Sequence, residues 1–171
     1  MRNLERSGKI LKEIVKKLSE TKLPKKYVKY VIDYLVGLSK HVDVQGVLLY
    51  GSFVWGRPRL DSDIDLIIVS KDFAVNRDEL LLLKRRIRGS LPAIIDSLWV
   101  SENELEEMFR GFTGFVLDAI YKGKVLYDET GIFEKLRNRL LEALKKKKIQ
   151  RHRGMWRIPI SYPGEIVEIE L

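Results

Sequence analysis

Gly51-Ser52 closes one apolar run, and Asp63-Ile64-Asp65 opens the next, with ten residues between Ser52 and Asp63. Successive strand side chains alternate faces, so Asp63 and Asp65 are expected on one side of a strand and Ile64 on the other. Two ionised carboxylates held side by side repel each other, and one or two divalent cations relieve that repulsion. Mg²⁺ suits the pair because it takes oxygen ligands and bridges carboxylates to phosphates. Asp96, inside the apolar run Ala93-Ile94-Ile95-Asp96-Ser97-Leu98-Trp99-Val100, is the best third carboxylate for a two-metal site. A charge in such a run is costly to bury without a partner. Together these residues can hold a triphosphate and the ions that make it reactive.

Gly51 permits a tight turn and close approach of a phosphate to the backbone. If Ser52 opens a short helix, its hydroxyl and nearby free N–H groups can contact the terminal phosphates. Arg57 or Arg59 can reach the same phosphates with several donors, although each also reads as a solvated loop residue. No Gly-Lys-Ser or Gly-Lys-Thr follows, so this is not a P-loop. Gly-Ser alone is an ordinary turn and Asp-Ile-Asp alone an ordinary strand edge; the combination with Asp96 is far narrower. Asp61 reads as a turn residue, and Asp72, Asp118 and Asp128 as surface or helix residues. Trp55 can stack on a base but reads first as packing. His41 and His152 are too far apart to suggest a metal motif.

The elements that must position these groups follow from periodicity. Amphipathic helices are expected at 3–19, with Leu4, Leu11, Ile14, Val15 and Leu18 on one side, and at 25–40, with Tyr27, Tyr30, Val31, Tyr34, Leu35 and Leu38 as the apolar stripe. Val44 to Tyr50 reads as a strand, 52–56 as a short helix, 57–62 as a loop around Pro58 and 63–69 as the second strand. Ile64, Leu66 and Ile68 fall on the core-facing side of that strand; Ile67 and Val69 continue the Asp face, so only its first end opens to solvent. Asn76 or Asp78 can cap a helix reaching Arg88, and Ala93 to Val100 is the third strand. Ser101 and Glu104 have capping-box spacing. A helix at 115–121, a short strand at Val125 to Tyr127 and a basic helix at 131–148 follow. The tail, Trp156 to Ile160 and Glu165 to Leu171 around Pro163-Gly164, reads as a β-hairpin.

The chain has 171 residues, 45% of them hydrophobic, so it can build a core, and it reads as one domain. Its core is expected at 44–128, with a helical extension at 1–43 and a basic helix and tail at 129–171. Cys is absent, which excludes disulfides, thiolate chemistry and Cys-based zinc sites. With no apolar signal segment and no long uncharged apolar run, a cytoplasmic protein with no membrane contact is expected. Lys and Arg number 32 against 24 Asp and Glu, a net +8, with the surplus at residues 1–30 and 133–153. Such a surface attracts nucleic acid, an acidic protein or a triphosphate, and equally describes a solvated lysine-rich exterior.

Tyr50-Gly51-Ser52, Asp63-Ile64-Asp65-Leu66 and Asp96 resemble the DNA-polymerase-β-like nucleotidyltransferase superfamily, nearest to its small prokaryotic branch of minimal, kanamycin-nucleotidyltransferase-related enzymes. The resemblance covers residues 44–100 firmly and 101–128 loosely. It implies an α+β fold, a small mixed sheet packed against helices, here with N-terminal helices and a C-terminal helix plus tail. It also implies transfer of NMP from an NTP, with ATP the expected donor, to a hydroxyl with release of pyrophosphate, using two Mg²⁺ ions. Asp63 and Asp65 then bind both ions, Asp96 binds one and helps activate the acceptor, and Gly51, Ser52 and Arg57 hold phosphates. Small members pair with HEPN-type toxins and adenylylate a tyrosine on them, so a toxin partner is one expectation for the acceptor. A small hydroxyl compound such as an aminoglycoside, RNA, or a noncatalytic nucleotide-binding or partner-binding role stay open, as does a homodimer.

Overall fold

In the computed structural model of the chain, the described residues are 2–21, 23–56, 58–59, 62–74, 77–89 and 95–160, with side chains described for all of these except 2–7, 9, 77 and 88. The Asn76 cap, the start of the third strand at Ala93 and the Glu165–Leu171 half of the tail lie outside them. The helices α1 (Arg2–Ser19) and α2 (Lys25–Ser39) precede β1 (Gly46–Tyr50), the single turn α3 (Ser52–Trp55) and β2 (Ile64–Val69). A 3-10 turn (Lys71–Ala74), α4 (Arg77–Arg88), β3 (Ile95–Val100), α5 (Glu102–Arg110), α6 (Gly114–Lys122) and β4 (Lys124–Asp128) follow. Then come α7 (Ile132–Lys145), β5 (Gln150–His152) and β6 (Met155–Arg157).

The main sheet runs in the order β3-β2-β1-β4. β1 is antiparallel to both β2 and β4, whereas β2 and β3 are parallel and joined through α4. This is the mixed α+β sheet that the resemblance implied. Period two divides β1 and β2 between two cores. Val47, Leu49, Ile64, Leu66 and Ile68 pack with α1 and α2, while Leu48, Ile67 and Val69 pack with α5, α6 and α7. Helices therefore cover both faces, not the Ile64 side alone, which is why these strands read as nearly continuous apolar runs. The carboxylate face is dry beyond its first residues because Ile67 and Val69 are fully buried beneath those helices.

Local chemistry sets two boundaries, the first of them as expected. Ser101 Oγ accepts from Glu104 N at 3.3 Å, and Glu104 Oε2 accepts from Ser101 N at 2.8 Å. That capping box starts α5 directly after β3. Asp128 Oδ2 accepts from Phe133 N at 3.1 Å and Glu134 N at 3.2 Å, a helix-start role that fixes α7 to the end of β4.

Several boundaries differ from expectation. β1 begins at Gly46 rather than Val44, and β2 at Ile64 rather than Asp63. The basic helix stops at Lys145, and residues up to Arg157 form a hairpin in which Trp156 pairs with Arg151. Arg153 and Gly154 both have positive φ, 49° and 86°, as a two-residue hairpin turn requires, so the first partner of Trp156 lies upstream. The basic charge there is partly internal. Arg151 donates to Asp118 Oδ1 at 2.8 Å and lies against the rings of Tyr121 and Trp156. Arg137 donates to the carbonyls of Ile120 at 2.8 Å and Gly123 at 2.6 Å.

Candidate active site

The site lies where β1 ends and the parallel pair β2–β3 begins. Asp65 is registered against Asp96 on β3 and against Tyr50 on β1. Residues paired across a sheet share a face, so Asp96, Asp65 and Tyr50 form one row across three strands. The 30 residues between Asp65 and Asp96 include the whole of α4, so only the parallel pairing brings the two carboxylates together. Asp63 stands one residue ahead of β2, exposed, and its charge still acts on Asp65.

Gly51 closes the other side. Its φ of 77° and ψ of −158° belong to a backbone region essentially confined to glycine. A Cβ there would fall 1.8 Å from Asp65 Oδ2 and 2.8 Å from its Cγ. The backbone of the turn is thus laid against the Asp65 carboxyl, and glycine is required twice over. The turn is held by Val54 N and Trp55 N, which donate to the Gly51 carbonyl at 3.1 Å and 3.0 Å. α3 is a single turn, too short to supply a helix dipole. Ser52 is half-buried, and Trp55, expected to pack, is 41% exposed.

Burial, then the charges of Asp96 and Asp63, push the Asp65 carboxyl up to about 6. Burial, then Asp65 and Asp96, push the Tyr50 phenol up to about 12, so it stays protonated at neutral pH. The remaining described aspartates have other attachments. Asp33 pairs with Lys29, Asp43 with Lys71 and Asp118 with Arg151, while Asp72 Oδ2 accepts from Asp43 N at 2.7 Å and Asp128 starts α7. Among the described residues Asp63, Asp65 and Asp96 have no such hydrogen-bond or ion-pair partner and face one another's charge. The donor set is oxygen-only and, among the described residues, its negative charge has no cationic partner, which suits a hard divalent cation. Among the described residues no three acidic or histidine side chains stand gathered as a ready-made metal site. Asp63 and Asp96 are exposed.

The row is kept in register by a contact that sequence reasoning missed. Tyr34 of α2, expected only as core, shares a 2.6 Å hydrogen bond with the buried hydroxyl of Ser97, and Trp99 Nε1 donates to Tyr34 Oη at 2.9 Å. Lys84 of α4 donates to the Ser97 carbonyl. Ser97 follows Asp96 directly, so α2 and α4 hold the segment of β3 that presents this carboxylate. Tyr50 was legible only as part of the glycine-serine motif; its face follows from period two, but its neighbours do not. Arg57 and Asp61 lie outside the described residues. Arg59 is exposed, its N–H bonded to Ser62 Oγ at 2.7 Å.

A mixed sheet that sets carboxylates from neighbouring strands beside a glycine bend is the architecture of a nucleotide-transfer enzyme. The family model described as "Polymerase beta, Nucleotidyltransferase" matches residues 36–131, more than half of the chain, and the chain belongs to that family. The protein is a nucleotidyltransferase, and the resemblance carried by Gly51-Ser52 and Asp63-Ile64-Asp65 is borne out at that level. No curated protein sequence matches the chain. Similar solved structures include a toxin–antitoxin complex with AMP-PNP, at 16% identity and a TM-score of 0.44, covering 68% of this chain and 87% of that one. Another is the toxin–antitoxin pair MntA-HepT, at 13% identity and a TM-score of 0.41, covering 69% and 89%. A third is a tri-AMPylated Shewanella oneidensis HEPN toxin in complex with MNT antitoxin, at 15% identity and a TM-score of 0.36, covering 72% and 85%. Among the described residues no helix is long and apolar enough to cross a membrane.

Proposed function

We propose that the protein moves AMP from ATP to a hydroxyl acceptor and releases pyrophosphate. The observation that carries this is the pairing of Asp65 with Asp96 across β2 and β3, directly beside the glycine backbone of the Gly51-Ser52 bend. Asp63, Asp65 and Asp96 are the residues that would hold two Mg²⁺ ions. When bound, Mg²⁺ supplies positive charge to the triphosphate and to the attacking and leaving oxygens.

The chain's own groups do the rest. The amides of the bend and the Ser52 hydroxyl hold the β- and γ-phosphates, with Arg57 as a further phosphate donor. Asp96, the carboxylate farthest from the bend in the row, takes the acceptor proton. The acceptor oxygen then bonds to the α-phosphorus in line, the bond to the bridging α,β oxygen breaks, and pyrophosphate departs from the Ser52 side. Tyr50, protonated, adds no negative charge to a site already crowded with it.

The acceptor we favour is a tyrosine on a helical HEPN-type toxin partner. That choice rests on the resemblance of Tyr50-Gly51-Ser52 and Asp63-Ile64-Asp65-Leu66 to small prokaryotic transferases with that substrate. Incubating the purified protein with Mg²⁺, α-labelled ATP and cell extract tests both halves of the proposal. Label on a partner protein's tyrosine with pyrophosphate release is expected; label on RNA or a small hydroxyl compound reassigns the acceptor. Folded Asp63→Asn or Asp96→Asn protein should transfer nothing, and wild-type transfer by either would remove that residue from the chemistry.

A further inference from the structure

Tyr50 lies on the opposite side of Asp65 from Asp96, because β2 stands between β1 and β3 in the sheet. The next residues of the chain are Gly51 and Ser52. Against its ring stacks Phe115, from the first turn of α6, with centroids 6.4 Å apart and planes inclined by 27°. This is an ordinary offset aromatic contact. What is unusual is the exposure. Val116, Leu117, Ala119 and Ile120 of the same helix are fully buried, yet Phe115 is 44% exposed at the rim of a carboxylate site. The inner face of Phe115 is occupied by Tyr50, and its outer surface is left to solvent.

We propose that Phe115, backed by Tyr50, is the platform on which the base of the donor nucleotide stacks; this rests on the transferase reading above. In an in-line transfer the acceptor and the pyrophosphate lie on opposite sides of the α-phosphorus, and the nucleoside leaves at a wide angle to that axis. Asp96 marks the acceptor side and the Gly51-Ser52 bend the pyrophosphate side. The aromatic pair sits on the pyrophosphate half of the row, on the face from which the carboxylates project and which α6 covers. A base turned toward α6 meets Phe115. Stacking is tolerant of base identity but grows with ring area, so purine nucleotides gain more than pyrimidine nucleotides. Trp55, 41% exposed on α3, is the rival aromatic.

Binding of ATP, UTP and inorganic tripolyphosphate, each with Mg²⁺, to the wild-type, Phe115→Ala, Phe115→Trp and Trp55→Ala proteins separates the possibilities. Phe115→Ala should weaken ATP binding about ten-fold, reduce the preference for ATP over UTP and leave tripolyphosphate binding unchanged. It should raise KM for ATP with little change in kcat, and Phe115→Trp should restore affinity. Unchanged ATP binding in Phe115→Ala overturns the inference, as does an equal loss for ATP and tripolyphosphate. The same holds if Trp55→Ala, and not Phe115→Ala, carries the base-dependent loss, or if Phe115→Ala raises only the acceptor KM. A wild-type protein that binds neither polyphosphate nor nucleotide and releases no pyrophosphate overturns the transferase reading, and this inference with it.

Discussion

Replacing Asp65 with Asn should make the metal-free protein more stable at pH 8 while leaving it inactive. The folded state raises this carboxyl from its ordinary 3.8 to about 6, through burial and the charges of Asp96 and Asp63. A raised carboxyl favours the fold only while it is protonated. Its contribution is fully present below about pH 3.8 and is lost as the pH rises through 6, so above pH 6 the ionised Asp65 opposes folding. A complete conversion of that difference gives about 3 kcal/mol. Asp65 is only about half-buried and solvent screens it, so roughly 1–1.5 kcal/mol is the working figure. Asn has nearly the same shape and no charge. For a chain of this size the gain corresponds to about 2–6 °C in Tm.

Circular dichroism melts at pH 8 and pH 4, with EDTA or millimolar Mg²⁺, read this directly. The Asp65→Asn advantage should be present at pH 8 with EDTA and shrink to a few tenths of a kcal/mol at pH 4. It should narrow again when Mg²⁺ stabilises the wild type alone. Asp118→Asn is the contrasting case, because its Oδ1 accepts from both Arg151 and Trp156 Nε1. It should lose about 1–3 kcal/mol at pH 8. An Asp65→Asn protein that melts at or below the wild-type temperature in EDTA at pH 8 would refute the picture of an uncompensated carboxylate cluster.

Tyr34→Phe removes the hydroxyl that bonds both Ser97 and Trp99, leaving the buried Ser97 hydroxyl short of a partner, and should cost about 1–3 kcal/mol in urea unfolding. Because Ser97 adjoins Asp96, kcat should fall as well, more than the acceptor KM changes. Gly51→Ala places a Cβ against the Asp65 carboxyl in a backbone region closed to alanine. It should abolish transfer and lower Tm, and a crystal structure with an unmoved bend would contradict that.

The local rules of the chain were legible in its order of residues. Spacing fixed the apolar stripe of α2 and, in α1, Ile14 and Leu18, whereas Val15, expected beside them, is exposed. The Ser101–Glu104 capping box, complete within four residues, was readable because both partners lie in one turn. The glycine requirement at position 51 was readable as a turn, Asp63 and Asp65 stood out as a pair on one strand face, and Asp96 because charge in an apolar run is costly to bury. The family followed from that same short pattern.

What the residue order alone left open depends on partners distant along the chain. The pairing of Trp156 with Arg151 was not legible because alternation cannot say which segment pairs with a strand, and the turn at Arg153-Gly154 decides it. Asp118 and Asp128 looked like surface aspartates until Arg151 and the first amides of α7 came to them. That Asp65 lies beside Asp96, that Tyr34 reaches Ser97, and that Phe115 stacks on Tyr50 are products of strand order and helix packing. Residue types and spacing act over a few residues, whereas these contacts are settled when the two hydrophobic cores close on opposite faces of one sheet.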